Sequence, residues 1–186
     1  MALLESILVP LGTKMPSFEL KDPLGKVFKS GELYDKEKGR GLLIGFMCNH
    51  CPYAKAVWPR FIRLAEYAKG MRINTIAINP NINPEFPEDS APEMKKKITE
   101  WGIEFPYLVD ETQEVARAFR AQCTPDIYLF NNKQELIYHG RVDDNWQDES
   151  KITREELKEA LNNHAAGLPL DKKQRPAMGC SIKWKV

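Results

Sequence analysis

Two of the four cysteines in this chain lie three residues apart, in Phe46-Met47-Cys48-Asn49-His50-Cys51-Pro52. Thiols at this spacing can pass between a dithiol and a disulfide, so the first chemistry to weigh is redox exchange. The flanking residues strengthen that reading. Leu42-Leu43-Ile44-Gly45-Phe46 has the length and composition of a buried parallel strand, and Ala54, Val57, Phe61, Leu64, Ala65 and Ala68 recur at helical spacing. The cysteines thus fall where a strand ends and a helix begins. There, unpaired backbone N–H groups and the helix dipole stabilise an anion and favour the thiolate. Cys48 is expected to be the exposed thiol of lower pKa, and Cys51, one turn inside, to resolve its mixed disulfides. An imidazolium at His50, between the two sulfurs, is expected to add to the effect.

Length and charge bound the alternatives. The 186 residues are 42% hydrophobic, enough for one domain with an ordinary core. A net charge of +1 gives no electrostatic case for nucleic acid or an anionic membrane. No run approaches the roughly 18 apolar residues of a membrane helix. Met1-Ala2-Leu3-Leu4-Glu5 lacks the basic start of a signal peptide, so the expected location is the cytoplasm, where cysteines are more often catalytic or reduced than structurally bridged. No second Cys/His pair with ligand spacing accompanies the motif, so neither a metal nor a cofactor is expected.

Strand and helix patterns alternate along the rest of the chain, the mark of an α/β layered domain. Residues 18–20 and 26–28 flank the turn Asp22-Pro23-Leu24-Gly25 and predict an N-terminal hairpin. A second buried strand is expected over 72–78. The segment 79–92, with Pro80, Pro84, Pro87 and Pro92 among Glu85, Glu88 and Asp89, predicts a long loop with a functional role. Helices are expected over 90–101 and 112–119, and over 153–166 behind a Thr153/Glu156 capping box. Strands are expected over 106–109, 127–130 and 136–139. From Gly167 onward an irregular tail is predicted.

Taken together, strand, C-x-x-C, long helix, strand, helix, then Thr124-Pro125 leading into a hairpin and a last helix resemble the thioredoxin superfamily. Within it, residues 15–166 are similar to the redoxin branch, the alkyl hydroperoxide reductase/thiol-specific antioxidant-like proteins. Residues 1–14 then form an extension and 167–186 a tail. Met178-Gly179-Cys180-Ser181-Ile182-Lys183-Trp184-Lys185 also looks like the ending of bacterial redoxin-like proteins with a Cys-Asn-His-Cys motif. The resemblance implies a central mixed β-sheet flanked by helices. It makes Cys48 the attacking thiol, Cys51 the resolving thiol and Pro125 a cis-proline against them, with Thr124 offering its backbone to an extended substrate. Its implied partners are protein or small-molecule thiols and disulfides and an upstream thiol reductant.

The chain departs from that family in informative ways. Thioredoxins usually place Trp just before the first cysteine and a buried Asp six residues before it; Met47 and Leu42 stand there instead. Another proton acceptor for Cys51 is needed, and Glu85, Glu88 and Asp89 are the candidates. Peroxiredoxins use T-x-x-C with a separate arginine, whereas Cys48 occupies the threonine position and Cys123-Thr124-Pro125-Asp126 the region of the arginine. Disulfide exchange is therefore favoured over a thiol-dependent, antioxidant peroxidase. A copper chaperone is the third reading, since two thiolates suit Cu(I). Cys123 and Cys180 are additional redox candidates, and their pairing with each other is one expectation.

Overall fold

The computed structural model describes residues 3–34 and 39–185. Its strands are β1 (Leu3–Glu5), β2 (Glu19–Lys21), β3 (Val27–Lys29), β4 (Gly41–Phe46), β5 (Ile73–Asn79), β6 (Tyr107–Val109), β7 (Cys123–Thr124), β8 (Asp126–Asn131), β9 (Leu136–Gly140) and β10 (Met178–Ser181). Its α-helices are α1 (Pro52–Gly70), α2 (Ala91–Trp101), α3 (Glu114–Phe119) and α4 (Glu156–Ala166). Seven strands form a mixed sheet in the order β3-β2-β6-β5-β4-β8-β9.

Strand β4 lies inside this sheet, buried along its whole length between parallel β5 and antiparallel β8. A parallel partner needs a crossover, and α1 supplies it. Strand alternation then divides β4 between two cores. Leu42, Ile44 and Phe46 pack with Phe119 and Tyr128 on one face, and Leu43 and Met47 with Trp58, Phe61 and Tyr107 on the other. Gly45 lets α1 close on the sheet, because a Cβ there would stand 2.7 Å from the Phe61 ring. The expected hairpin is β2/β3, joined to the sheet through Lys21 opposite Val109.

Two expectations fail. The C-terminal segment is not irregular throughout: β10 lies antiparallel between β1 and β7 in a second, three-stranded sheet. Its residues are too few to show a strand period, and its partners stand far away in sequence. Nor does Thr153 form a capping box with Glu156. Its backbone N–H donates to Asp144 (2.9 Å), and Glu156 accepts from the Arg141 guanidinium (3.0 Å), so α4 opens two residues after Arg154 without a side-chain cap.

Candidate active site

The loop after β4 is pinned from several sides. Met47 N–H donates to the Ile78 carbonyl (2.9 Å), and the Trp58 indole N–H to the Cys48 carbonyl (3.1 Å). Cys51 is the N-cap of α1, with extended backbone at φ −69° and ψ 126°, and Pro52 occupies the first turn, where its missing N–H costs nothing. Thr124 closes the site: its Oγ1 is 3.0 Å from Cys48 Sγ, and its carbonyl accepts from Cys51 Sγ at 3.4 Å. The Thr124-Pro125 bond is cis, as the resemblance implied.

The long loop contributes what the sequence left open. Asp89 is fully buried and accepts from Asn49 N–H (2.5 Å) and Asn79 Nδ2 (3.0 Å), while its second oxygen pairs with His50 Nδ1. Glu85 and Glu88 are exposed, and only the Glu88 backbone carbonyl takes part, accepting from Asn49 Nδ2 (2.8 Å). Tyr107 donates to Asn49 Oδ1 (3.1 Å), and the Phe86 ring lies 4.7 Å from that of His50. Among the three candidates, then, Asp89 is the carboxylate at the site, and it attends Cys48 rather than Cys51. Donor atoms of Cys48, His50 and Asp89 all lie within 4.8 Å of one another. Asn49, Asn79 and Tyr107 are site residues that sequence reasoning missed, because their partners come from three different elements.

The electrostatics reverse the expected order of the thiols. Neither sulfur is exposed. The Cys51 thiol is lowered to about 5, chiefly by the hydrogen bond from Cys48, then by Cys180 and by the backbone N–H groups of Ala54 and Cys180, all against the opposing effect of burial. The Cys48 thiol is pushed well up by burial, then by its bond to Cys51 and by the Asp89 charge. The negative charge of the pair is therefore favoured on Cys51; in the uncharged pair the Cys51 thiol donates to the Thr124 carbonyl. Helix position contributes: Cys51 is the N-cap residue at the positive end of α1, and Cys48 lies outside the first turn beside the Asp89 carboxylate. The His50 ring is held at Nδ1 by Asp89, and its buried Nε2 has no partner among the described residues.

Cys123 and Cys180 do not pair with each other. In the β7/β10 pair Cys180 stands opposite Thr124, and Ser181 opposite Cys123. Residues directly across share a face, so Cys123 points away from Cys180. Its thiol contacts Ser6 Oγ and the Pro125 carbonyl, each at 3.9 Å, and burial raises its pKa. Cys180 instead packs with Cys48, Cys51 and Ala54. Behind Pro125, Asp126 accepts from Ser6 (2.7 Å) and Tyr128 (3.0 Å) and sits 3.0 Å from His139 Nε2. Val9 N–H donates to His139 Nδ1 (3.0 Å), which leaves Nε2 as the protonated nitrogen facing Asp126. This buried network ties the segment after β1 to the β8/β9 hairpin, a role no local motif around His139 announced.

Fold and site together define a thioredoxin-like domain with a buried dithiol at a helix N-terminus. Residues 11–139 match the AhpC/TSA family, and the chain belongs to that family. A crystal structure of an uncharacterized conserved protein from Geobacillus kaustophilus is similar at 40% identity and a TM-score of 0.92, over 100% of this chain and 97% of that one. The thioredoxin domain of a thiol-disulfide oxidoreductase from Bacteroides vulgatus shares the fold, with 16% identity, a TM-score of 0.57 and coverage of 71% and 89%. Over 68% of its length the chain is 25% identical to thiol-disulfide oxidoreductase ResA of Halalkalibacterium halodurans, and it spans 65% of that relative.

Proposed function

We propose that this protein is a thiol-disulfide oxidoreductase working through a Cys48/Cys51 dithiol-disulfide cycle. The observation that carries the reading is the N-cap placement of Cys51 on α1, in one buried cluster with Cys48. In the cycle, the Cys51 thiolate attacks one sulfur of a substrate disulfide. That bond breaks, and the leaving sulfur departs as a thiolate and takes up a proton. Cys48 then attacks Cys51 Sγ of the mixed disulfide, its proton passing to the His50–Asp89 pair; the bond between Cys51 and the substrate breaks, and the second substrate sulfur leaves as a thiolate that takes up a proton. The pair ends as a disulfide, and the substrate has gained two electrons and two protons. An upstream thiol reductant restores the dithiol. The order is the reverse of the expected one, with Cys51 attacking and Cys48 resolving.

A thiol-dependent, antioxidant peroxidase is the second reading, favoured by the family and by the lowered Cys51 thiol. Among the described residues no arginine side chain is bonded to the cysteine cluster, which supports disulfide exchange as the first. Copper carriage is the third reading: the clustered thiols of Cys48, Cys51 and Cys180 offer soft sulfur, while His50 and Asp89 beside Cys48 are harder donors than Cu(I) favours. For location we propose the cytoplasm; the support is the chain's four unbridged thiols, and cell fractionation tests it.

Reduced protein mixed with insulin tests the main reading. Wild type should reduce the insulin disulfides, while Cys48→Ser and Cys51→Ser should each lose catalytic turnover. An inert wild type that consumes hydrogen peroxide at the expense of its thiols would replace exchange with the peroxidase reading.

A further inference from the structure

Three of the four sulfurs lie in one buried cluster, and the third comes from a strand near the far end of the chain. Cys48, Cys51 and Cys180 pack together around Ala54, with Cys180 only 4% exposed. Strand pairing fixes this placement. Cys180 stands directly opposite Thr124, so its side chain leaves β10 on the face from which Thr124 Oγ1 reaches Cys48. Gly179, the preceding residue, sits so tightly on the loop that a Cβ there would be 2.0 Å from the Thr124 carbonyl oxygen. Strand β10 thus occupies the Thr124 edge that the resemblance had assigned to an extended substrate. Cys180 lies in the same buried cluster as Cys51, where its polar groups help hold the Cys51 thiol down.

We propose that Cys180 is a third catalytic thiol, which takes the disulfide over from Cys48 by attacking Cys51. The proposal rests on the dithiol cycle above. Once Cys48–Cys51 has formed, the Cys180 sulfur attacks Cys51 Sγ. The bond between Cys51 and Cys48 breaks, a Cys51–Cys180 bond forms, and the proton lost by Cys180 ends on Cys48. No electrons are gained or lost, so the step needs no further oxidant. The reacting residues already pack in one buried cluster in the reduced protein. While Cys51 is a thiolate, burial and then the bond to Cys51 hold the Cys180 thiol up at about 12. Converting Cys51 to a disulfide removes that neighbouring charge, so Cys180 becomes a better nucleophile when there is a bond for it to attack. The product joins the C-terminal strand covalently to the N-terminus of α1 and returns Cys48 to its thiol beside Asp89.

The test uses the full-length protein and oxidised glutathione. Reduced wild type is incubated with it, quenched with acid and N-ethylmaleimide, digested and mapped by mass spectrometry. Two disulfides are expected, Cys48–Cys51 and Cys51–Cys180. In Cys48→Ser, the glutathione first bound to Cys51 should be released as Cys51–Cys180 forms; the added change Cys180→Ser should leave it attached. Wild type showing Cys48–Cys51 alone, with Cys180 fully alkylated, overturns the role of Cys180 and leaves the dithiol cycle standing. Should no cysteine oxidise, and insulin remain intact, both readings fall. Mapping of wild type decides the matter even where a variant does not fold.

Discussion

Cys180 stands directly across from Thr124 in the antiparallel pair of β7 and β10, so the chain's own C-terminal strand covers the Cys48/Cys51 dithiol. The cover explains why both sulfurs of a reactive pair are wholly buried.

Replacing Gly179 by alanine should loosen that cover. The new methyl group would collide with backbone, the Thr124 carbonyl, which cannot rotate away as a side chain does. A loss of about 1–3 kcal/mol is expected, typical of overpacking. Urea denaturation reads the stability, and the rate of reaction with dithionitrobenzoate reads the exposure of the thiols. Unchanged thiol reactivity would show that β10 is not what shields them.

Acid should switch off the nucleophile late. The folded Cys51 thiol lies at about 5, below its ordinary value of 9.0, so the thiolate persists through neutral pH. Its stabilisation of the reduced fold is complete above the ordinary value and disappears as pH falls through about 5. The second-order rate with a small disulfide should be nearly flat from pH 8 to pH 6 and drop below about pH 5. Thiolate absorbance near 240 nm should follow the same curve in wild type and vanish from that range in Cys51→Ser. A curve retained in Cys51→Ser would return the thiolate to Cys48.

Asp89→Asn should act on the other sulfur. Removing the carboxylate charge removes one cause that raises Cys48, so the Cys48 thiol should titrate lower, measurable in a Cys51→Ser background. The variant also weakens the anchoring of Asn49, Asn79 and His50, at a cost of about 1–3 kcal/mol. Resolution of the mixed disulfide should slow, since His50 loses its partner. A Cys48 titration that stays put, beside an intact fold, contradicts the placement of Asp89.

Away from the sulfurs, Arg60 and Asp143 form a buried ion pair at 2.9 and 2.8 Å that fastens the loop after β9 to α1. The same guanidinium donates to the Asn145 and Trp146 carbonyls, and Trp146 packs on Tyr53 beside the cysteine cluster. Asp143→Ala leaves a buried cation without its counter-charge and should cost about 3–5 kcal/mol. Chemical denaturation would show it; a change under 1 kcal/mol, of the size of an exposed pair, would rule the pair out as an anchor.

The sequence by itself determined the local elements and the chemistry they carry. The apolar run of β4, the helical period of α1 and the C-x-x-C between them depend only on near neighbours, and so does the β8/β9 hairpin with its Asn131 turn. Thr124-Pro125 and the acidic loop were visible too, because proline and charge mark a chain wherever they occur. Tertiary structure decided which groups meet. Asp89 reaches His50 and Asn49 across about 40 positions, and Cys180 reaches Cys51 across more than 120, distances over which periodicity carries no information. The strand parity that turns Cys180 toward Cys51 and Cys123 away depends on a register set by pairing partners, not by local sequence. The order of the thiols followed from the same source: a sulfur's pKa answers to the donors and charges around it, and only the folded chain puts Ala54, Cys180 and Asp89 in their places.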